Sequence, residues 1–123
     1  MTIKELYANI GGNYDQAVRV MKADKLIDRY VRKLKNSAVG ETLVAAGKTM
    51  DPQQLFDSAH AMKGVCSNLG LDALAAAADA ITEEFRQGNP RRMTDDEVRS
   101  KLADIAALYA KTVEGIARYE QEN

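Results

Sequence analysis

Apolar side chains recur every three or four residues through most of this chain, and helix-capping or helix-breaking residues separate one run from the next. An α-helix turns once in about 3.6 residues, so this spacing places the apolar side chains on one helical face. Alanine, leucine, glutamate, lysine and arginine are abundant, whereas the 123 residues include two prolines and few clusters of β-branched residues. We therefore predict an all-α fold.

The N-terminal part contains two of these runs, separated by Gly11 and Gly12. The first run predicts a short helix that carries Leu6, Tyr7 and Ile10. The second run begins after Asn13, which with Gln16 has the spacing of a capping box, and extends to about Lys35. Its apolar stripe consists of Val20, Ala23, Ile27, Tyr30 and Leu34. We expect this helix to be long enough to belong to a bundle.

Two further helices are predicted in the middle of the chain. A short one, weakened by Gly40 and ending near Gly47, carries Val39, Leu43 and Val44. Asp51 then has the character of an N-cap, with Pro52 as the first helical residue and Gln54 three residues after the cap. We predict that this sequence begins the helix that carries the single histidine of the chain.

The last two helices are also marked by their ends. Gly70 and Asp72 indicate a break and a new N-cap, and the sequence Gln-Gly-Asn-Pro at 87–90 ends the helix that follows. That helix carries Leu74, Ala78, Ile81 and Phe85. Thr94 and Glu97 have the spacing of a second capping box. The final helix extends to about residue 119 and carries Val98, Leu102, Ile105, Tyr109, Val113 and Ile116.

Four long helices joined by short turns predict an antiparallel four-helix bundle, with one or two short additional helices near the N-terminal half. A chain of 123 residues is long enough to bury one hydrophobic core without disulfides or metal. We therefore expect residues 1–123 to form a single domain.

The charge and the cysteine content limit the classes of partner and the compartment. The formal net charge is −1, so nothing in the overall balance favours binding to nucleic acid or to an anionic membrane. No apolar run approaches the roughly 18 residues of a membrane span, and residues 1–7 lack the features of a signal peptide. The single cysteine cannot form an internal disulfide. We expect a soluble, cytoplasmic protein that is a monomer.

The single histidine, His60, is predicted to point to solvent. At about 100° per residue, the face opposite His60 is formed by Leu55, Ser58, Met62, Val65, Cys66 and Leu69. The residues predicted around His60 are Gln53, Phe56, Asp57, Lys63, Gly64 and Ser67. A histidine with a purely structural role is expected on the apolar stripe, so the outward position favours a functional role.

Two neighbours of His60 need separate interpretation. Phe56 is a large aromatic residue on the exposed side, where something is expected to cover it. Either the short N-terminal helix packs over Phe56, or Phe56 belongs to an apolar patch that docks a partner beside the histidine. Cys66 is predicted on the core face, which argues against a reactive thiol.

Several kinds of site are poorly supported by the sequence. A metal centre in a bundle needs several ligands from facing helices, and one outward histidine does not provide them. No second base accompanies a nucleophilic serine, and no phosphate-binding loop or kinase signature is present. We infer that His60 receives a group from another protein or domain.

A solvent-facing imidazole beside an ammonium group suits nucleophilic attack on phosphorus, which gives a phosphohistidine. Lys63, three residues after His60, is placed to offset the charge of the phosphoryl oxygens. Gly64 leaves the helix surface low, so that an acceptor can approach the ring closely. The residues predicted to contact a partner are Gln53, Phe56, Asp57 and Ser67.

At these positions the sequence resembles the histidine-containing phosphotransfer (HPt) domain family of phosphorelays. The resemblance lies in the sequence Ala-His-Ala-Met-Lys-Gly at 59–64 and its continuation through Leu69, Gly70 and Leu71. It implies that His60 is phosphorylated, that Lys63 stabilises the phosphoryl charge and that Gly64 provides clearance. Ala61 and Met62 depart mildly from the residues that the family often has there.

The resemblance also implies an antiparallel four-helix bundle and the partners of the protein. These are response-regulator receiver domains, which carry the Mg²⁺ and the aspartate that exchanges the phosphoryl group, and a hybrid histidine kinase is a further candidate partner. The chain itself is expected to need no cofactor and to have neither an ATP-binding nor a hydrolytic site. Two alternatives remain: the phosphoacceptor domain of a chemotaxis-type histidine kinase, or a helical module that binds receivers without being phosphorylated.

Overall fold

The computed structural model describes residues 1–122, which form seven α-helices and no β-strand. The helices are α1 (Ile3–Ile10), α2 (Tyr14–Met21), α3 (Asp24–Lys35), α4 (Val39–Thr49), α5 (Pro52–Asn68), α6 (Asp72–Glu84) and α7 (Asp95–Gln121). The all-α prediction is confirmed. Within residues 1–122, none of the helices combines the length and the apolar character that crossing a membrane requires.

Four of the helices form a closed bundle. Helix α5 packs against α4 and α6, and α7 packs against the same two helices, so α5 and α7 face each other diagonally. The predicted four-helix bundle is therefore confirmed, but its membership differs from the prediction. The short helix α4 closes the ring, whereas α3 packs against α7, α1 and α2.

The helix predicted from residue 13 to residue 35 is wrong as a single element. Lys22 adopts a left-handed conformation with φ 73°, which ends α2, and α3 begins two residues later. Because α3 is a separate helix, its buried face does not continue the one predicted for α2. Of the predicted stripe, Ile27 and Leu34 are buried, and Val31 is buried with them. The other members of that stripe are exposed, namely Val20, Ala23 and Tyr30.

The N-terminus of α2 is tied to the turn that follows α5. The side chain of Asn13 accepts a hydrogen bond from the Gln16 amide at 3.0 Å, which confirms the predicted N-cap. The reciprocal half of the capping box is absent, because the Gln16 side chain accepts from Arg19 at 2.7 Å. The backbone amide of Asn13 instead donates to the backbone carbonyl of Gly70 at 2.7 Å, which connects α2 to the turn after α5.

Most of the other predicted helix ends are close to those observed. The Asp51 side chain accepts from the Gln54 amide at 2.9 Å, and Thr94 and Glu97 form the full capping box. Asp72 is the first residue of α6 rather than its N-cap, so that prediction is wrong by one position. Helices α4 and α7 extend two residues beyond their predicted ends. Helix α6 ends at Glu84, three residues before the predicted stop at residue 87.

A buried carboxylate holds the connection between α6 and α7. The Glu84 side chain is only 4% exposed and accepts hydrogen bonds from the amides of Arg92 (3.0 Å) and Met93 (2.9 Å). The Arg91 guanidinium donates to the same carboxylate at 2.7 Å. Burial raises the pKa of Glu84, but the bonds from these three residues outweigh it, so the pKa lies below its usual range. The predicted polar turn therefore has a buried anchor.

Candidate functional site

His60 lies in the middle of α5 with its side chain exposed, as predicted. The opposite face of α5 is buried and contains Leu55, Ser58, Ala59, Met62, Cys66 and Leu69. One predicted member of this face is wrong: Val65 is 40% exposed, whereas Ala59 is fully buried in its place. Val65 lies at the edge of a groove of about 450 Å³ that it shares with Met21 and Tyr30. The buried face of α5 is thus rotated toward Ala59, which does not change the outward position of His60.

Phe56 lies one helical turn before His60 and is half-buried. The centroids of the two rings are 5.4 Å apart and their planes are tilted by 42°. The guanidinium carbon of Arg86, just after α6, lies 5.2 Å from the centroid of the Phe56 ring. Arg86 therefore covers Phe56, and its cation rests on the aromatic face.

Of the two alternatives for what covers Phe56, the one in which the N-terminal helix packs over it is not supported by the contacts of that helix, which are mainly with α7, α2 and α3. The Tyr7 hydroxyl of α1 donates to the carbonyl of Leu69 at 2.6 Å. Leu69 is the residue that follows α5, about 20 Å along the helix axis from Phe56. Helix α1 consequently supports the far end of α5, whereas the contact recorded on the Phe56 ring from outside α5 is that of Arg86.

Lys63, three residues after His60, is engaged by the neighbouring helix. Its Nζ lies 2.8 Å from the Oδ1 of Asp79 on α6, and the two side chains are 36% and 42% exposed. One turn further along α6, Glu83 forms an ion pair with Arg86 at 2.7 Å. Two cations and two carboxylates therefore lie where α6 packs beside Lys63 and Phe56, and their formal charges balance.

The pKa of Glu83 reflects this arrangement. The hydrogen bond from Arg86 is the main cause that holds the pKa of Glu83 below its usual range, and the charge of Lys63 contributes to the lowering. The Lys63 ammonium group is thus close enough to α6 to pair with Asp79 and for its charge to act on Glu83 as well. The charged side chains on the exposed side of α5 and on the adjoining side of α6 therefore interact with one another.

Gly64 is the helical glycine whose presence the packing does not explain. A Cβ atom added to Gly40 would lie 2.5 Å from Tyr109 Cε1, and one added to Gly47 would lie 2.8 Å from Leu102 Cδ1. A Cβ added to Gly115 would meet Ile10. A Cβ added to Gly64 would meet no atom within 4 Å. At the other three helical glycines an added Cβ would meet a side chain of a neighbouring helix, whereas Gly64 faces open space beside the imidazole.

The remaining residues predicted around His60 also lie on this side of α5. Gln53 and Asp57 are exposed, and the Gln53 amide donates to Asp57 Oδ1 at 2.9 Å. Ser67 is half-buried, one turn after Lys63 and Gly64. They extend the surface around His60 along the length of the helix.

Cys66 lies in the core, as predicted. Its side chain is fully buried, and this burial raises the pKa of the thiol to about 12. At neutral pH the thiol therefore stays protonated and is a poor nucleophile. Among residues 1–122, no three His, Cys, Asp or Glu side chains are grouped so that they could hold a metal ion.

Asp79, Glu83 and Arg86 were not among the site residues predicted from the sequence. All three belong to α6 or follow it closely, and the packing of α6 on α5 brings Asp79 to Lys63 and Arg86 to Phe56, the two neighbours of His60. The available signal was Asp79 itself, which is the one charged residue between Ala73 and Ala80. A carboxylate in an otherwise small and apolar stretch marks the edge of a packed helix.

Comparison with protein families gives a match to the Hpt domain, over residues 23–117. The matched segment contains α3 to α6, with the whole surface around His60, and most of α7. The comparisons with curated proteins and with solved structures gave no significant match.

Proposed function

The chain belongs to the Hpt domain family, and from this we propose that His60 is the residue that accepts a phosphoryl group and passes it on. Members of this family are phosphocarrier modules rather than catalytic enzymes, and they transfer phosphoryl groups in two-component signalling. Their partners are response-regulator receiver domains. The proposal thus assigns the family's function to one side chain.

The exposed position of His60 beside the bare surface of Gly64 is the observation that carries this proposal. An imidazole acts as a nucleophile only when the phosphorus can reach it in line. Gly64 is not required by any packing contact, and a side chain there would project into the space beside the ring. The absence of a side chain is best explained by the close approach of a partner.

The transfer step follows from the chemistry of the two groups. A ring nitrogen of neutral His60 attacks the phosphorus of an aspartyl phosphate on the receiver. A P–N bond forms while the P–O bond to the aspartate breaks, and the carboxylate leaves. The reverse reaction returns the phosphoryl group to an aspartate. We expect the receiver, rather than this chain, to supply the Mg²⁺ for both directions.

Lys63 is proposed to stabilise the phosphorylated state. Residues three apart on a helix have Cβ atoms roughly 5–6 Å apart, so the long lysine side chain can reach a group attached to His60. We propose that Gln53, Phe56, Asp57 and Ser67 form the surrounding contact surface for the receiver. Phe56, held between Arg86 and His60, is its apolar centre.

We further propose that the whole chain acts as one monomeric Hpt domain. Helices α1 and α2 lie before the matched residues, yet α1 packs against α7 and α2 packs against α5. These contacts support a single folded unit that includes both the N-terminal helices and the site. A hybrid histidine kinase is a candidate source of the phosphoryl group.

The test is phosphoryl transfer from a panel of phosphorylated receiver domains, comparing the wild type with His60→Gln. We expect at least one receiver to give acid-labile phosphate on the wild type and none on the variant. The chain contains a single histidine, so phosphohistidine in the wild type can only be at His60. Circular dichroism should show the same helicity for both proteins, because His60 is exposed. No labelling by any receiver, or equal labelling of the variant, contradicts the proposal.

A further inference from the structure

The ammonium group assigned to the phosphoryl group is already held by a carboxylate. Lys63 Nζ lies 2.8 Å from Asp79 Oδ1, on the neighbouring helix α6. In this arrangement the lysine side chain is directed away from the axis of α5 and toward α6. A phosphoryl group on His60 would have to draw Lys63 away from Asp79 or share it with Asp79.

The surrounding charges make Asp79 the relevant competitor. Glu83, one turn further along α6, has its own cation, because Arg86 binds it at 2.7 Å. For Asp79, the ion-pair partner found within residues 1–122 is Lys63. Taking Lys63 away from Asp79 therefore leaves that carboxylate without its partner, whereas Glu83 keeps Arg86.

We propose that Asp79 is a positioning residue of the phosphotransfer site, which holds Lys63 on α6 while His60 is unphosphorylated and competes with the phosphoryl group for it. This inference rests on the proposed function of His60. The phosphoryl group carries a charge of about −1.5 to −2 at neutral pH, against −1 for the carboxylate, so Lys63 moves toward His60 after transfer. Because of this competition, the phosphohistidine is less stable than it would be if Lys63 had no carboxylate partner.

The exchange of partners is compatible with the exposure of both side chains. Ion pairs between partly exposed side chains are weak in water, so little is lost when Lys63 leaves Asp79. Asp79 Oδ1 is itself buried, but the side chain as a whole is 42% exposed, so the carboxylate stays in contact with water through its other oxygen when Lys63 leaves. Asp79 therefore adjusts the stability of the phosphohistidine by a modest factor, as suits a carrier that must release the group again.

The experiment measures the half-life of the phosphohistidine after labelling with phosphoramidate, which needs no receiver. In that reaction a ring nitrogen of His60 attacks phosphorus, a new P–N bond forms, and the P–N bond to the amine breaks to release ammonia. We expect Asp79→Asn to lengthen the half-life by about two- to fivefold, since Lys63 then serves the phosphoryl group alone. Asp79→Glu, which keeps the charge, should restore a half-life near that of the wild type.

A double-mutant cycle separates positioning from direct repulsion by Asp79. In a Lys63→Ala background, Asp79→Asn should have no effect on the half-life, because the proposed action passes through the lysine. Glu114→Gln on α7, the helix diagonal to α5, is the control for loss of one negative charge and should leave the half-life unchanged. The ¹⁵N signal of the Lys63 ammonium group should shift in unphosphorylated Asp79→Asn.

The outcomes are distinct for the two proposals. If neither phosphoramidate nor any receiver labels His60, the proposed function fails and this inference fails with it. If His60 is labelled but Asp79→Asn has the wild-type half-life, only the role of Asp79 is overturned. An effect of Asp79→Asn that persists in Lys63→Ala also overturns it, because the carboxylate then acts on the phosphoryl group directly.

Discussion

The Phe56 and His60 rings form a tilted pair one helical turn apart, with their centroids separated by 5.4 Å. Arg86 lies on Phe56 at 5.2 Å from its centroid, so the aromatic ring connects the imidazole to a cation supplied from the end of α6. A partner that approaches His60 therefore meets Phe56 and Arg86 as well.

Phe56→Ala is expected to weaken the association with a receiver more than it weakens the fold. The ring is half-buried and central to the proposed contact surface, so its loss should raise the half-saturating receiver concentration by about three- to tenfold. Single-turnover transfer at varied receiver concentration measures this change. Val44→Ala, which removes an exposed apolar side chain from α4, is the control and should not alter that concentration. An unchanged half-saturation in Phe56→Ala would remove it from the contact surface.

Gly64→Ala should stabilise the protein while it slows transfer. The added methyl group meets no atom within 4 Å, and alanine in a helix interior is more stable than glycine by about 0.5–1 kcal/mol. The same methyl group occupies the clearance beside His60. Urea denaturation and the single-turnover transfer rate provide the two measurements.

Gly40→Ala is the matched control for Gly64. Its Cβ would lie 2.5 Å from Cε1 of Tyr109, and the hydroxyl of that tyrosine is held by a hydrogen bond to the Leu34 carbonyl at 3.0 Å. We therefore expect this variant to lose stability while its transfer rate stays near that of the wild type. A Gly64→Ala protein with the transfer rate of the wild type would show that the glycine provides no clearance.

Lys22→Gly should stabilise the protein by about 1 kcal/mol, because a left-handed conformation is unfavourable for residues with a Cβ atom. Lys22 has φ 73° at the end of α2. Lys22→Ala keeps the Cβ atom and should give no such gain, so the comparison isolates the backbone conformation. Equal unfolding free energies for the glycine and alanine variants would contradict the left-handed assignment.

Glu84→Gln should make stability less dependent on pH in the acid range. The pKa of Glu84 is lower in the folded state than its ordinary value of 4.5, so the charged carboxylate stabilises the fold above that pH. This contribution is lost as the pH falls through the lowered folded-state pKa. We expect the variant to be less stable than the wild type by about 1–3 kcal/mol at pH 7 and the difference to shrink by pH 3.

Urea denaturation at the two pH values measures the effect of Glu84. Glu114→Gln is the control, because its carboxylate is 73% exposed and lies 3.6 Å from Arg118. Its unfolding free energy should stay close to that of the wild type at both pH values. A difference between the wild type and Glu84→Gln that is as large at pH 3 as at pH 7 would exclude the charge of Glu84 as the cause.

The features that sequence predicted well depend on local spacing. The outward position of His60 follows from the periodicity of a single helix. The helix starts at Asp51 and Thr94 follow from cap side chains that accept a hydrogen bond from the backbone amide three residues later. All the residues that decide these features lie within the same helix or its cap. These features therefore do not require knowledge of which helices are neighbours.

The features that it missed depend on packing between helices. Asp79 contacts Lys63 because α6 lies beside α5, and Val65 is exposed because of where the neighbouring helices lie around α5. The break at Lys22 had no glycine or proline to mark it, since a lysine adopts the left-handed conformation there. The hydrophobic periodicity describes each helix by itself, so it does not predict contacts between helices or a break without a glycine or proline.

The hydrogen bond from Tyr7 to Leu69 has a practical consequence for anyone who expresses parts of this protein. Helix α1 lies outside the matched residues 23–117, yet its tyrosine is buried and binds the carbonyl that follows the histidine-bearing helix. A fragment cut to the family boundaries would lose this donor and uncover apolar surface at the end of α5. Fragments meant for structural or transfer work should therefore keep the chain from Thr2, whose side chain begins α1.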